Sequence, residues 1–210
     1  MPAYFVTLEL TSLIEIYIND AGNICLGAAC DKQSIFCTAF ATSERETLKK
    51  LLKGLPYNVH FQVMSEPSPL AKSVFVMLRN AYDGKGISEK PLLRMEHLPA
   101  YTRKALEAIT FIPLGYVTSY SAVAKIVGGS ARTVGNAMSK NPFAPIVPCH
   151  RVVAADFTLG GYGGGVNLKL ELLKREKRGY RIASEVPIKE KKLKVFPVEF
   201  VLNKLRDLTR

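Results

Sequence analysis

The segment Pro148-Cys149-His150-Arg151 places a thiol, an imidazole and a guanidinium on consecutive residues. A thiol attacks carbon as its thiolate, and at an ordinary pKa only roughly 3% of it is thiolate at neutral pH. His150 could raise that fraction as a base, and Glu176 further along the chain could orient the imidazole. Because adjacent side chains in a strand point to opposite faces, we expect an indirect link between His150 and Cys149. The segment favours a nucleophilic cysteine, with an ordinary buried thiol as the alternative.

Two short predicted helices separated by a glycine turn precede this cysteine. Ser119 can cap a helix that ends at Gly128-Gly129, and Ser130 can cap a second helix that runs to Lys140. Such a pair is typical of a helix-turn-helix. Positions i, i+3, i+4 and i+7 of the second helix form an outward face made of Arg132, Gly135, Asn136 and Ser139. This small, polar face can approach DNA closely, although a solvated helix surface would look the same.

The positive charge of the chain is confined to its second half. Of 29 Lys/Arg and 18 Asp/Glu residues, ten of each lie in residues 1–100, which leaves the whole net charge of +11 on residues 101–210. A one-sided basic domain fits a polyanion such as DNA, because neutralised phosphates release counterions. General solubility is the alternative.

Bulk composition indicates an ordinary globular protein rather than a disordered or membrane-spanning one. Of the 210 residues, 48% are hydrophobic and 22% charged, enough for one or two domains with a real core. The apolar N-terminal stretch is interrupted by Glu9 and Glu15 and lacks the features of a secretion signal. We therefore expect a cytoplasmic protein without a membrane span.

Three further cysteines cluster near the N-terminus and match no zinc-binding spacing. Cys25, Cys30 and Cys37 are separated by four and then six residues. We expect them to be buried, unpaired thiols, with a Cys25–Cys30 disulfide as the alternative. We expect no metal and no organic cofactor, because a reactive thiol would itself be the reagent.

The first half of the chain is predicted to alternate strands and helices. Phe5–Ile18 and residues 24–41 favour strands, and Ser43 with Glu46 forms a capping box that opens a helix. Pro67-Ser68-Pro69 predicts a second helix that ends near Tyr82. The second half is predicted to be mainly helical, with helices from Pro99 to about Ile109, from about Leu168 to Arg178 ended by Gly179, and near Val198–Leu208.

Several segments of the second half, taken in order, resemble the methylated-DNA–protein-cysteine methyltransferases, also called O-6-alkylguanine-DNA alkyltransferases. Residues 112–120, with the sequence IPLGYVTSY, resemble the opening motif of that family, and residues 131–138, ARTVGNAM, resemble its recognition helix. Asn141-Pro142 and residues 146–153, IVPCHRVV, resemble its active-site segment. The convincing resemblance covers about one third of the chain, from Ile112 to Glu176.

The resemblance implies direct repair of O-6-alkylguanine by irreversible, stoichiometric alkyl transfer. Cys149 would be the nucleophile and final acceptor, with His150 acting through a water and Glu176 behind it. Asn141 would tie the recognition helix to the active-site turn. Tyr120 would rotate the nucleotide out of the duplex and donate its hydroxyl to the guanine ring.

The resemblance also implies which residues contact DNA and which line the base pocket. Arg132 would enter the base stack where the flipped base has left. The implied DNA contacts are Tyr120, Ala131, Arg132, Gly135, Asn136 and Ser139. The implied pocket residues are Pro145, Val152, Tyr162 and Gly163. The family often has Ser at the position of Gly163, so the acceptance of bulky adducts is left open.

These features together predict an α/β (α+β) protein. We expect a ribonuclease-H-like α/β domain over residues 1–92, a mainly helical winged helix-turn-helix domain over 93–182, and a basic C-terminal extension over 183–210. The expected partner is double-stranded DNA carrying alkylated guanine, bound by a monomer. The basic residues Lys169 and Lys189–Lys194 are expected at the solvated surface, with phosphate contacts as the alternative. Arg151 either contacts DNA or forms hydrogen bonds beside the cysteine.

Two rival functions use the same residues. A lesion-binding relative of the alkyltransferases would flip the base without transferring the alkyl group, but such relatives lack the acceptor cysteine that this chain has. A cysteine hydrolase using Cys149, His150 and Glu176 would turn over small esters or amides and leave the helix-turn-helix without a role. We therefore expect the single-turnover enzyme.

Overall fold

In a computed structural model, residues 13–87 and 91–208 are described, and they form two four-stranded sheets with seven helices. In the first sheet, β1 (Ile14–Asp20), β2 (Cys25–Cys30) and β3 (Ile35–Ala41) form an antiparallel meander. Strand β4 (Phe61–Val63) pairs in parallel with β1, which gives the order β3-β2-β1-β4. The predicted strand over Phe5–Ile18 is found from Ile14 onward, and its first eight residues lie outside the described residues.

Helices cover both faces of this sheet. Helix α1 (Glu44–Gly54) packs Leu51 against Ile16 and Ala29, whereas α2 (Pro69–Tyr82) packs on the other face, against the alternate β2 side chains. Both helices begin where the sequence predicts, since the Ser43 and Ser68 hydroxyls accept hydrogen bonds from backbone amides of the first turn.

The second half of the chain contains five helices and the other sheet. Helix α3 (Ala100–Ile109) leads to β5 (Tyr116–Ser119) and then to the pair α4 (Tyr120–Val127) and α5 (Ala131–Ser139). The remaining elements are β6 (Val152–Val153), α6 (Val166–Arg175), β7 (Ser184–Ile188), β8 (Lys191–Pro197) and α7 (Val198–Leu208). The strand order is β6-β5-β8-β7, with β5 and β6 parallel and the other pairs antiparallel.

The helix pair α4–α5 has the local structure that its sequence predicts. Ser119 and Ser130 are the N-caps, and each hydroxyl accepts a hydrogen bond from an amide three residues later. Gly128 and Gly129 join the helices with φ angles of 90° and 80°, values that glycine adopts without the steric cost of a side chain. The tight turn holds α5 across α4.

The C-terminal region differs from the sequence prediction in two respects. Helix α6 ends at Arg175, three residues before the predicted end at Arg178. Residues 184–197, treated in the sequence only as a basic tail, form the hairpin β7–β8. Its buried residues Leu193 and Val195 alternate with exposed lysines, and the high lysine content concealed this two-residue period. The predicted helix over Val198–Leu208 is confirmed.

The two sheets share one continuous core. Buried residues of β2, α2, α3 and β8 belong to the same cluster. On strand β3, the amide of the buried Thr38 donates to the carbonyl of Pro142 at 2.8 Å, and the Thr38 hydroxyl donates to the carbonyl of Ala144 at 3.0 Å. Strand β3 therefore directly supports the loop that precedes Cys149.

Within the described residues, no helix combines the length and apolarity needed to cross a bilayer. All four cysteines are buried and unpaired, which confirms free thiols and excludes the Cys25–Cys30 disulfide in this structure.

Candidate active site

The thiol of Cys149 lies in a tight turn between α5 and β6. Cys149–Arg151 form a short 3-10 turn rather than a strand, so the strand-based expectation for the His150 orientation does not apply. Asn141, just after α5, holds this turn: its amide nitrogen donates to the carbonyl of Val147 at 2.8 Å and to Cys149 Sγ at 3.1 Å. Asn141 therefore connects the end of helix α5 to the sulfur itself.

The thiol is buried, with 6% of Cys149 exposed. Burial raises the pKa of the Cys149 thiol, because the thiolate loses hydration, while the Asn141 amide and the Lys169 ammonium act in the opposite direction. The resting site therefore favours the neutral thiol and holds two groups that stabilise the thiolate.

His150 and Glu176 form a second buried group of side chains, beside the thiol. His150 Nε2 lies 2.9 Å from Glu176 Oε1, and both side chains are 1% exposed. Burial lowers the pKa of His150, and the neighbouring carboxylate opposes that shift. His150 Nδ1 is also buried and has no hydrogen-bond partner among the residues that the structure describes. The imidazole thus has one nitrogen fixed by Glu176 and the other free to exchange a proton.

Arg151 completes this group by pairing with the same carboxylate. Its Nε and Nη2 atoms donate to the two Glu176 oxygens at 2.9 Å, and Nη1 donates to the Ile112 carbonyl at 2.8 Å. Burial alone would raise the pKa of Glu176, but the contacts with His150 and Arg151 lower it to about 2. The sequence left two roles open for Arg151, contact with DNA or hydrogen bonding beside the cysteine. The structure shows the hydrogen bonding.

Lys169 is the main residue that the sequence interpretation misplaced. It was expected at the surface, but its side chain is fully buried, and its ammonium donates to the carbonyls of Val152 and Leu159 at 2.6 Å. The ammonium also lies 5.7 Å from the centre of the Tyr120 ring. Burial lowers the pKa of Lys169 to about 8, with the Cys149 charge acting in the opposite direction.

The helical period contained a signal for this placement. Lys169, Leu172, Leu173 and Glu176 follow one another at i, i+3, i+4 and i+7 on α6, so they share one face. A buried Glu176 therefore implied a buried Lys169. The composition-based prediction failed because it treated the lysine as one of a basic group of residues rather than by its helical position.

A cavity of about 370 Å³, here called the front cavity, opens from Cys149 toward α5. Its lining consists of Tyr120, Ala131, Gly135, Met138, Ser139, Cys149, Gly161, Tyr162 and Gly163. The hydroxyl of Tyr120 donates to the Gly161 carbonyl at 3.2 Å. Burial raises the pKa of both tyrosines that line the cavity, Tyr120 and Tyr162, and the nearby Cys149 charge adds to this effect. Both phenols therefore remain neutral donors at ordinary pH.

Of the fourteen predicted site residues, seven line this cavity and seven do not. Three of the others, Asn141, His150 and Glu176, lie around the cysteine turn described above. Arg132 and Asn136 are exposed on α5 beside the cavity mouth. Pro145 and Val152 are buried behind Cys149, where the Val152 carbonyl accepts from Lys169. Met138 of α5 is buried in the core and also lines the cavity.

Comparison with known proteins first defines the class of the second half. Residues 100–178 match the family model described as 6-O-methylguanine DNA methyltransferase, DNA binding domain. A structure of Mycobacterium tuberculosis OGT in complex with DNA is similar with a TM-score of 0.61 and 27% identity, covering 78% of this chain and 92% of that one. The Pyrococcus kodakaraensis O6-methylguanine-DNA methyltransferase gives a TM-score of 0.60 and 27% identity, covering 78% and 99%.

Curated relatives narrow the class to a family. Proteins named methylated-DNA–protein-cysteine methyltransferase are 38% identical over 113 residues in Methanothermobacter thermautotrophicus and 35% identical over 120 residues in Methanocaldococcus jannaschii. These matches cover 53% and 55% of this chain, and 64% and 71% of the relatives. A Pyrobaculum aerophilum relative is 52% identical over 73 residues, which is 35% of this chain and 49% of that protein. The matches to these first relatives thus span about half to two thirds of the relatives' length. This chain belongs to the methylated-DNA–protein-cysteine methyltransferase family.

The burial of Lys169 leads to a test of thiol reactivity. In Lys169→Met, loss of the cation is expected to raise the pKa of Cys149 further and so to slow its alkylation, because nothing replaces the stabilisation of the thiolate by Lys169. The measurement is the rate of Cys149 alkylation by iodoacetamide between about pH 7 and about pH 10, followed by mass spectrometry of the Cys149 peptide.

Lys174→Met is the matched control, since Lys174 is an exposed lysine on the same helix. Its reactivity profile should coincide with that of the unchanged protein. If the Lys169→Met profile also coincides, while circular dichroism shows a folded protein, the proposed electrostatic link is wrong.

Proposed function

We propose that this chain repairs DNA directly, by transferring the alkyl group of O-6-alkylguanine in duplex DNA irreversibly to Cys149. The observation that carries the proposal is the position of Cys149 Sγ, which borders a base-sized cavity whose outer wall is the recognition helix α5. A hydrolase of small esters would have no use for that wall. The family names of the relatives support the same reaction.

The reaction requires a thiolate and a protonated leaving group. The Cys149 proton leaves toward His150 Nδ1 through an intervening water, and Glu176 stabilises the imidazolium that forms. The thiolate then attacks the alkyl carbon: the S–C bond forms, the C–O bond breaks, and its electron pair goes to the guanine oxygen. A proton donated by the Tyr120 hydroxyl neutralises the developing guanine anion, and the Tyr120 phenolate regains a proton from the His150 imidazolium through water, so that both side chains end neutral. The thioether has no route back to a thiol, so each protein molecule acts once.

The DNA-binding roles follow from the exposed face of α5. A base inside a duplex cannot reach a buried sulfur, so the lesion has to be extruded at a cost of a few kcal/mol. We assign to Arg132 the space that the base vacates, and to Tyr120 the rotation of the nucleotide. Ala131, Gly135, Asn136 and Ser139 present little bulk, which lets the backbone of α5 approach the groove.

We further propose that Tyr162 and Gly163 bind the flipped base inside the front cavity, with main-chain groups near the alkylated oxygen. The sequence assigned Pro145 and Val152 to the pocket. We propose instead that Pro145 fixes the cysteine turn and that the Val152 carbonyl holds the Lys169 ammonium. We expect a monomer acting in the cytoplasm, without metal or organic cofactor.

The finer fold assignment is also a proposal. The sheet order β3-β2-β1-β4 with helices on both faces supports a ribonuclease-H-like unit in residues 1–92. For residues 93–182 we propose a winged helix-turn-helix, and we place its wing in residues 183–210, in the hairpin β7–β8. Lys191 Nζ, at the hairpin tip, donates to the carbonyls of Lys125 and Ile126 at 2.9 and 3.1 Å, directly before the glycine turn that leads to α5. This contact supports a hairpin that reaches DNA beside the recognition helix.

The central test uses duplex DNA with a labelled methyl group on O-6-methylguanine. We expect the label on Cys149, with a plateau near one methyl per protein molecule, because the acceptor is consumed. Cys149→Ala should accept none. Multiple turnovers, or undiminished transfer by Cys149→Ala, would reject the proposal, and tight lesion binding without any transfer would favour the lesion-binding alternative.

A second prediction separates base extrusion from chemistry. Arg132→Ala should slow repair of duplex DNA roughly tenfold or more, because part of the extrusion cost of a few kcal/mol is no longer offset. Reaction with the free base O-6-methylguanine should keep its rate. Lys125→Ala, which removes an exposed cation from α4, is the control. An equal loss on both substrates would assign Arg132 to chemistry or folding instead.

A third prediction concerns the hairpin. In Lys189→Gln/Lys192→Gln, the slope of log binding constant against log salt concentration should decrease by about 1 to 2, because each lost phosphate contact removes roughly 0.9. The lysines Lys49 and Lys72 lie exposed in the first half of the chain, so Lys49→Gln/Lys72→Gln is the matched control. Identical slopes for the two double variants would exclude a DNA-contacting hairpin.

A further inference from the structure

One wall of the front cavity is a glycine-rich loop. This segment, residues 154–165, joins β6 to α6 and is here called the cavity loop. Gly161, Tyr162 and Gly163 of the cavity loop line the cavity. Five residues of the loop are glycines: Gly160, Gly161, Gly163, Gly164 and Gly165. Glycine loses more conformational entropy on ordering than any other residue, so a preformed wall requires contacts that hold this loop in place.

Phe157 supplies such a contact near the start of the cavity loop. Its ring meets two rings edge-on, with centroid distances of 5.1 Å to Phe196 and 5.5 Å to Phe200. The backbone of Phe157 has a φ angle of 65°, which is unfavourable for a residue with a side chain. Edge-to-face aromatic pairs are favourable, so the two contacts offset the cost of this conformation.

The two partner rings belong to the C-terminal unit, residues 184–208, which is itself fixed to the domain. Strand β8 pairs with β5 at Phe196 and Val117, and the Thr118 hydroxyl donates to the carbonyl of Lys194 at 2.7 Å. Helix α7 contributes to the buried cluster that contains Val117. The match to the family model ends before this unit. The rings that hold Phe157 therefore come from outside the matched domain.

The main chain that follows Phe157 contacts two side chains of the proposed reaction. The Leu159 carbonyl accepts a hydrogen bond from the Lys169 ammonium at 2.6 Å. The Gly161 carbonyl accepts one from the Tyr120 hydroxyl at 3.2 Å. Leu159 is also buried in the cluster to which α7 contributes. The ordered form of the cavity loop is thus the form in which these two side chains are in place.

We propose that the C-terminal unit preorganises the front cavity for the flipped base, and that Phe157, Phe196 and Phe200 are the positioning residues. This inference rests on the proposed alkyl transfer to Cys149. Because the rings hold the start of the cavity loop, the base meets a wall that is already ordered, which reduces the entropic cost of its binding. Once the base is bound, its own contacts order the loop. The rings therefore strengthen substrate binding and leave the chemical step unchanged.

The first test removes the ring and keeps the backbone conformation. Phe157→Gly suits a φ angle of 65°, so the variant is expected to fold. Single-turnover methyl transfer is measured against the concentration of duplex that carries O-6-methylguanine. The half-saturating concentration should rise about tenfold, the factor that corresponds to ordering roughly one further residue, while the limiting rate stays within about twofold. Phe157→Tyr keeps the ring and should behave like the unchanged protein.

Asn58→Gly is the matched control for the backbone change. Asn58 also has a positive φ angle, 56°, and it is exposed in the first half of the chain, away from the front cavity. Its half-saturating concentration and limiting rate should equal those of the unchanged protein. A normal half-saturating concentration in Phe157→Gly, or a fall in its limiting rate alone, would overturn the proposal.

A double-variant comparison separates the aromatic contact from general loss of stability. Phe200→Ala leaves the cavity loop unchanged in sequence and should raise the half-saturating concentration roughly threefold, as expected for the loss of one aromatic pair. Phe157→Gly/Phe200→Ala should be no worse than Phe157→Gly, because both changes remove the same contact. Leu208→Ala, an exposed apolar residue on the same helix, is the control. Additive losses in the double variant would contradict the assignment.

Hydrogen exchange tests the same contact without DNA. Amides of residues 154–165 should exchange faster in Phe157→Gly than in the unchanged protein or in Asn58→Gly, because the cavity loop has lost its anchor. Equal exchange in all three proteins would overturn the role of the rings. Absence of methyl transfer by the unchanged protein is a different result, because it would reject the proposed function itself.

Discussion

The buried carboxylate of Glu176 is the constraint on which the geometry around Cys149 depends. A charge that is 1% exposed is tolerated only when it is fully paired, and here three donors of His150 and Arg151 surround it. Arg151 also holds the Ile112 carbonyl, so one ion pair joins the end of α6, the cysteine turn and the segment after α3. The turn cannot shift without leaving a buried charge unpaired. This requirement fixes the thiol more firmly than apolar packing alone could.

Lys169, seven residues before Glu176, fixes a second part of the site. Its ammonium binds carbonyls on both sides of the loop that lines the front cavity, while its charge lies near the sulfur. A single helix therefore contributes a buried anion that orients His150 and a buried cation that favours the thiolate. The buried charges of Lys169 and Glu176 have opposite signs and cancel, although the second half of the chain is strongly basic.

The sequence predicted the parts of this arrangement that depend on local signals. Ser43, Ser68, Ser119 and Ser130 marked helix starts correctly, because capping is decided by residues within one turn. The residues around the front cavity were found through motif resemblance, which already carries the spacing of a folded site. Lys169 and the β7–β8 hairpin were misread because both were classified by charge. Their burial depends on contacts with distant segments, and the Thr38 support of the cysteine loop is likewise invisible to local patterns.

The raised pKa of Cys149 is consistent with a reagent that can be used only once. An exposed, low-pKa thiolate would react with any oxidant or electrophile, and each such event would consume a molecule of protein. A buried thiol avoids this loss, and its intrinsic nucleophilicity as a thiolate is greater because nucleophilicity falls as the pKa falls. The cost is that deprotonation must be promoted at the moment of reaction. His150 with a free Nδ1, the Asn141 amide and the Lys169 cation already lie around Cys149, so the proposed alkyl transfer would find these groups in place without a change of fold.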